Sequence, residues 1–118
     1  MLSFAGSLKV FVAVEPCDMR KGFNGLPELV TGRLGEDTQS GALFVFTNRR
    51  RNRLKILFWD RTGLWVCTKR LEQGTFSWPQ ATSAGATKIS LTPEALNLLT
   101  DGVDLRGAKL RPWYQRDG

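Results

Sequence analysis

Histidine is missing from all 118 residues. That removes imidazole general-base chemistry, histidine-activated nucleophiles and most transition-metal sites. Cysteine occurs twice, at Cys17 and Cys67, too few for a disulfide framework and without the spacing of a zinc site. Both read as small buried hydrophobes. Acid is scarce, with 11 Asp and Glu against 17 Lys and Arg, a net charge of +6. No apolar run approaches the roughly 20 residues a membrane-spanning helix needs. The opening MLSFAGSLKVFVAVE has neither a basic start nor a long apolar stretch, so the expected location is the cytoplasm, with no membrane partner. No internal repeat is present.

What the chain does have is concentrated in residues 41–78, which read GALFVFTN, RRRNR, LKILFWD, RTG, LWVCTKRL, EQG, TFSW. Three apolar, aromatic and β-branched runs separated by short polar breaks, and a shorter aromatic run after them, predict a four-strand antiparallel meander. With a two-residue period, Leu43, Val45 and Thr47 share one face and Phe44, Phe46 and Asn48 the other. Leu54, Ile56 and Phe58 likewise oppose Lys55, Leu57 and Trp59. Both faces are largely apolar, so the second face needs cover from the chain's own helices or from a partner, and an oligomer is one way to supply it.

Charge is concentrated in the same stretch. Residues 49–70 hold eight cations (Arg49, Arg50, Arg51, Arg53, Lys55, Arg61, Lys69 and Arg70) against Asp60 alone, a surplus of seven in a chain whose total is +6. The remainder is close to neutral. Consecutive arginines at a hairpin tip face water or an anion, and guanidinium matches phosphate oxygens in a bidentate fork. DNA phosphate is the expected ligand.

In chain order, Leu8 to Val14 is a β-branched run between Gly6 and Pro16 and predicts a strand. Asp18 stands where a helix N-cap belongs, and Met19, Phe23, Leu26 and Val30 recur at helical spacing. Asn24, Gly25 and Pro27 interrupt that stripe and predict a kink or two short helices. Residues 80–87 are small and polar and read as a loop. Lys88 to Leu91 is a short β-like piece. Thr92 as N-cap, Pro93 at the first position and Glu94 in the first turn predict a helix that docks through Leu96, Leu98, Leu99 and Val103. The expected fold is α+β, an antiparallel β-meander sheet with an N-terminal strand and two or three short helices packed on it. Residues 1–104 form the domain, and residues 105–118 form a basic tail carrying Trp113 and Tyr114.

The blocks CDMRKGFNGL at 17–26 and GALFVFTNRRRNRLKILFWDRTGLWVCTKRLEQGTFSWP at 41–79 resemble a bacterial family. It is the small accessory protein encoded beside the transposase in insertion sequences of the type called sixty-six. The family is commonly termed TnpB or the second-open-reading-frame protein, and is distinct from the RNA-guided nuclease of that name. Pro27 departs from its pattern, where an ordinary helix former is expected. The resemblance implies a role in DNA transposition beside a separate catalytic transposase.

The site expected to bind nucleic acid comprises Arg49, Arg50, Arg51, Arg53, Lys55, Arg61, Lys69 and Arg70, extended by Arg20 and Lys21. Asp18, Arg20 and Lys21 also fit a plain helix cap followed by exposed cations. Trp59, Trp65, Phe76 and Trp78 read as core or cross-strand pairs. Trp113 and Tyr114 are candidates for base stacking or partner contact. Asp18, Glu28, Asp60 and Glu72 are the carboxylates a metal-dependent nuclease would need, yet only Asp60 lies inside the basic stretch, in a turn-like Asp-Arg-Thr-Gly setting. The expected function is a non-catalytic DNA-binding accessory factor without metal or cofactor. The alternatives are an adaptor whose arginine hairpin engages the transposase and, remotely, the nuclease.

Overall fold

Phe and Val alternation in the middle of the chain builds a sheet with two apolar faces, and the rest of the chain divides to cover both. The computed structural model describes residues 8–81 and 83–102. Val103, the tail from residue 105 and its Trp113 and Tyr114 lie outside the described residues. The elements are β1 (Val10–Ala13), α1 (Gly25–Leu29), β2 (Leu43–Thr47), β3 (Arg53–Trp59), β4 (Leu64–Arg70), β5 (Lys88–Leu91) and α2 (Pro93–Thr100). A π-helical turn (Val30–Leu34) extends α1, and a 3-10 turn (Thr38–Ser40) precedes β2.

The strands form one sheet in the order β4-β3-β2-β1-β5. Pairing is antiparallel except between β1 and β2, which run parallel with Val10 opposite Leu43 and Val12 opposite Val45. The fold is α+β as expected, but the sheet is mixed rather than purely antiparallel. The physical reason is the long connection over residues 14–42, which carries α1. A parallel neighbour demands a crossover of that kind.

One face holds Val10, Val12, Leu43, Val45, Leu54, Ile56 and Leu91, covered by Ala95, Leu96 and Leu99 of α2 and by Phe76 and Trp78. The other holds Ala13, Phe44, Phe46 and Leu57, covered by Leu26 of α1 and by Val30 and Leu34 of the π-helical turn. The cover that two apolar faces required is therefore intramolecular over β1, β2 and β3. Burial on both sides explains why all five residues of β2 are buried.

Two local expectations are corrected. Residues 75–78 are not a fourth meander strand. Phe76 and Trp78 point into the core, and the Trp78 indole N–H donates to the Ala13 carbonyl at 2.8 Å. The segment thus crosses over the sheet face instead of joining its edge, although the alternation of buried and less buried residues is the same. Residues 18–23 are turns, not helix, and Phe23 is 60% exposed. The helix begins at Gly25, which puts Pro27 in its first turn, where a missing N–H has no intrahelical acceptor to lose. The C-terminal helix follows its sequence signals, with the Thr92 side chain accepting from the Ala95 N–H at 3.1 Å.

Candidate nucleic-acid interface

The arginine loop joins β2 to β3 and is shaped by the two asparagines that flank it. The Asn48 side-chain oxygen accepts from the backbone N–H of Asn52 and of Arg53, each at 3.1 Å, and its amide donates to the Asn52 side-chain oxygen at 2.7 Å. Arg51 takes a left-handed backbone, φ 59°, and its N–H closes the turn on the Asn48 carbonyl at 3.0 Å. Two bonds from the segment after β4 fix the loop from outside. The Leu71 N–H donates to the Asn52 carbonyl at 2.9 Å and the Phe76 N–H to the Arg51 carbonyl at 2.6 Å. Every loop backbone bond is thus supplied by neutral groups, and Arg49 and Arg50 project into solvent with Arg51 half-buried.

Cations from three other segments gather at the same end. Arg53 of β3 lies directly opposite Arg70 of β4. The Leu71 to Asn52 bond sets the alternation of the ladder, so this is a pair without mutual hydrogen bonds, the type in which side chains lie closest. Like charges so placed repel. Lys55 points to the same face as Arg53, and its ammonium donates to the Lys21 carbonyl at 2.8 Å. Together with the Cys17 N–H bonded to the Thr47 carbonyl at 2.9 Å, that contact brings the 17–21 segment alongside. Burial pushes the Cys17 thiol above its ordinary value, against the opposing pull of Lys21, Arg33 and Lys55.

Among the described residues the ion pairs are Arg20 with Asp18, Arg33 with Glu15, and Lys88 with Glu36. None involves Arg49, Arg50, Arg51, Arg53 or Arg70. Arg20 is engaged: its guanidinium forks onto the Asp18 carboxylate at 2.7 to 3.1 Å, and Asp18 also accepts the Arg20 backbone N–H. The Arg20 side chain is the main reason the Asp18 carboxyl falls to about 2. Asp18 caps this turn rather than a helix.

Two of the sequence-predicted cations are set apart from the cluster. Lys69 points to the opposite face and donates to the Thr100 carbonyl at 2.6 Å, where it satisfies the C-terminal end of α2. Arg61 sits in the turn beyond the far end of β3, a strand that runs about 20 Å from Arg53 to Trp59. That turn is organised by Asp60, which accepts from the Thr62 N–H and hydroxyl, the Gly63 N–H and, at 2.6 Å, the Trp65 indole N–H. These bonds, the Trp65 one foremost, hold the Asp60 carboxyl at about 2. Among the described residues no three Cys, Asp or Glu side chains converge as a metal site would require.

Sequence reasoning missed the roles of Asn48 and Asn52. The signal was present as an asparagine on each side of three arginines, two side chains suited to holding a loop by local hydrogen bonds.

The model of the IS66 Orf2-like proteins matches residues 8–110 of this chain. The chain belongs to the IS66 Orf2-like family. Among its relatives, the uncharacterized protein y4jC of Sinorhizobium fredii is 36% identical over 112 residues, covering 95% of this chain and 93% of its own. The uncharacterized protein y4hO of the same organism is 38% identical over 106 residues, 90% of each chain. No solved structure matches. Membership ties this IS66 Orf2-like chain to an insertion-sequence transposition system, and the arginine end of its sheet falls within the matched region. No helix among the described residues is long and apolar enough to cross a membrane.

Proposed function

We propose that this protein is a non-catalytic accessory factor of insertion-sequence transposition that grips the phosphate backbone of DNA with the arginine end of its sheet. The observation that carries this reading is the gathering of Arg49, Arg50, Arg51, Arg53 and Arg70 on one end with no ion pair to a carboxylate among the described residues. Arginines held close to one another raise the local potential and favour a polyanion over water. Lys21 and Lys55 widen the footprint. Contacts of this kind position a protein on a duplex and carry no base readout. Arg61 and Lys69 lie outside this surface, and Trp113 and Tyr114 join the proposal only as contacts from the tail. The transposase of the same element is the proposed protein partner.

Fluorescence anisotropy with a labelled duplex tests the reading. Five phosphate contacts give log K against log salt a slope of about −4 to −5, and changing Arg49, Arg50 and Arg51 to alanine flattens it by about 3 while lowering affinity about 100-fold. A salt-independent titration, or equal affinity of the triple variant, overturns DNA binding. Retention of the transposase by both proteins after nuclease treatment would then point to the adaptor function instead.

A further inference from the structure

We propose that two copies of the chain join edge to edge through β4, antiparallel, with Cys67 on the two-fold axis, to make one continuous ten-stranded sheet. β4 is an outer strand of the sheet. It is seven residues long, contains no proline, and among the described residues its outward backbone groups have no partner. An edge of this length is a template for another strand.

The register follows from the ladder. The Leu71 to Asn52 and Asp60 to Gly63 bonds fix which pairs of β3 and β4 exchange hydrogen bonds. By alternation Lys69, Cys67 and Trp65 use their backbone groups toward β3, while Leu64, Val66, Thr68 and Arg70 direct theirs outward. Cys67 is the midpoint of Leu64–Arg70. Centring the two-fold there pairs the strand with its copy over its full length, Leu64 against Arg70 and Val66 against Thr68, with about eight new backbone bonds. Any other centre shortens the ladder.

Charge supports that register and answers the objection that Lys69 and Arg70 guard the edge. In it the cations do not meet each other. Lys69 lies opposite Trp65 of the second copy, on the same face. Trp65 is 52% exposed, stacks on Phe58 at 6.0 Å and donates to the ionised Asp60 carboxylate. An ammonium over that indole and near that carboxylate is attracted by both, and Lys69 spends only one of its three donors on Thr100. Because the two-fold stands perpendicular to the sheet, both Arg53–Arg70 pairs fall on one side of it, the two Arg70 residues about 20 Å apart along the strand direction. The dimer stands whether or not that face binds DNA.

Residues opposite themselves without mutual hydrogen bonds have Cα atoms about 4.5 Å apart, inside the disulfide range. The full chain with Cys17→Ser is therefore expected to give a covalent dimer through Cys67 under mild diamide oxidation, and twice the chain mass by light scattering before oxidation. Moving the lone cysteine to Val66 or Thr68 is expected to abolish self-cross-linking, and placing cysteines at both restores it. Thr68→Pro removes an N–H that β3 does not use and is expected to yield a folded monomer by circular dichroism and light scattering. A monomer in the unmodified chain, or cross-linking as efficient from Val66 as from Cys67, overturns the proposal.

Discussion

The two ends of β3 are built by the same device and differ in charge, one strongly positive and the other balanced. At one end Asn48 accepts two backbone N–H groups and the turn places Arg51 at φ 59°. At the other Asp60 accepts two backbone N–H groups and the turn places Arg61 at φ 85°. The difference is one atom type. A neutral carboxamide leaves the arginines of its loop uncompensated, whereas a carboxylate cancels the charge of its single arginine. Fold can therefore be held constant while the electrostatics of an end is changed, and the side chain that shapes a loop also decides whether the loop attracts an anion.

Asn48→Asp is the strongest way to break the comparison. The two backbone N–H groups keep their acceptor, and the Asn52 amide turns over so that it donates to the new carboxylate oxygen in place of accepting from Asn48. A negative charge enters beneath the arginines, so DNA affinity is expected to fall about tenfold at low salt while the unfolding midpoint in urea changes little. An unchanged affinity would show that the loop is not the binding element.

Glycine at each positive-φ position sharpens it. Relieving the left-handed backbone should stabilise Arg51→Gly and Arg61→Gly alike, by about 0.5 to 1 kcal/mol in urea melts. Only Arg51→Gly should weaken DNA binding, by about fivefold, with Arg61→Gly within about twofold of the parent.

The smallest effect is a titration. Asp60 is lowered from 3.8 to about 2 by bonds made in the folded state. A depressed carboxylate contributes stability above its unfolded value and loses it as pH falls through the folded one. The Trp65 indole N–H resonance should accordingly shift with a midpoint at about 2, and Asp60→Asn should abolish that transition. A midpoint at the ordinary aspartate value would mean that the turn does not hold Asp60.

Local signals carried the parts of the fold that depend on near neighbours. Alternation and turn chemistry located β2, β3 and β4, and Thr92, Pro93 and Glu94 located α2. The parallel β1–β2 pairing was not legible, because it joins residues some thirty positions apart through contacts that leave no periodic trace. Thr75 to Trp78 shows why alternation misleads. A strap lying over a face buries every second residue just as a strand does, and only the acceptor of the Phe76 N–H, which is the Arg51 carbonyl, tells them apart. Met19 and Phe23 matched a helical stripe, yet Asp18 bonded to Arg20 instead of starting a helix. For the candidate site, sequence named the cations, but it could not say that Arg61 sits far along β3 or that Lys69 serves α2, since both depend on strand length and face.

The bond from the Phe76 N–H to the Arg51 carbonyl has a kinetic consequence. A loop whose backbone is already clamped to the body has little ordering entropy left to lose when a ligand arrives. The proposed capture of DNA would then be set by encounter, accelerated by long-range attraction and slowed by added salt, rather than by waiting for a rare loop shape. Loosening that clamp would lower the speed of association before it altered which ligand is held.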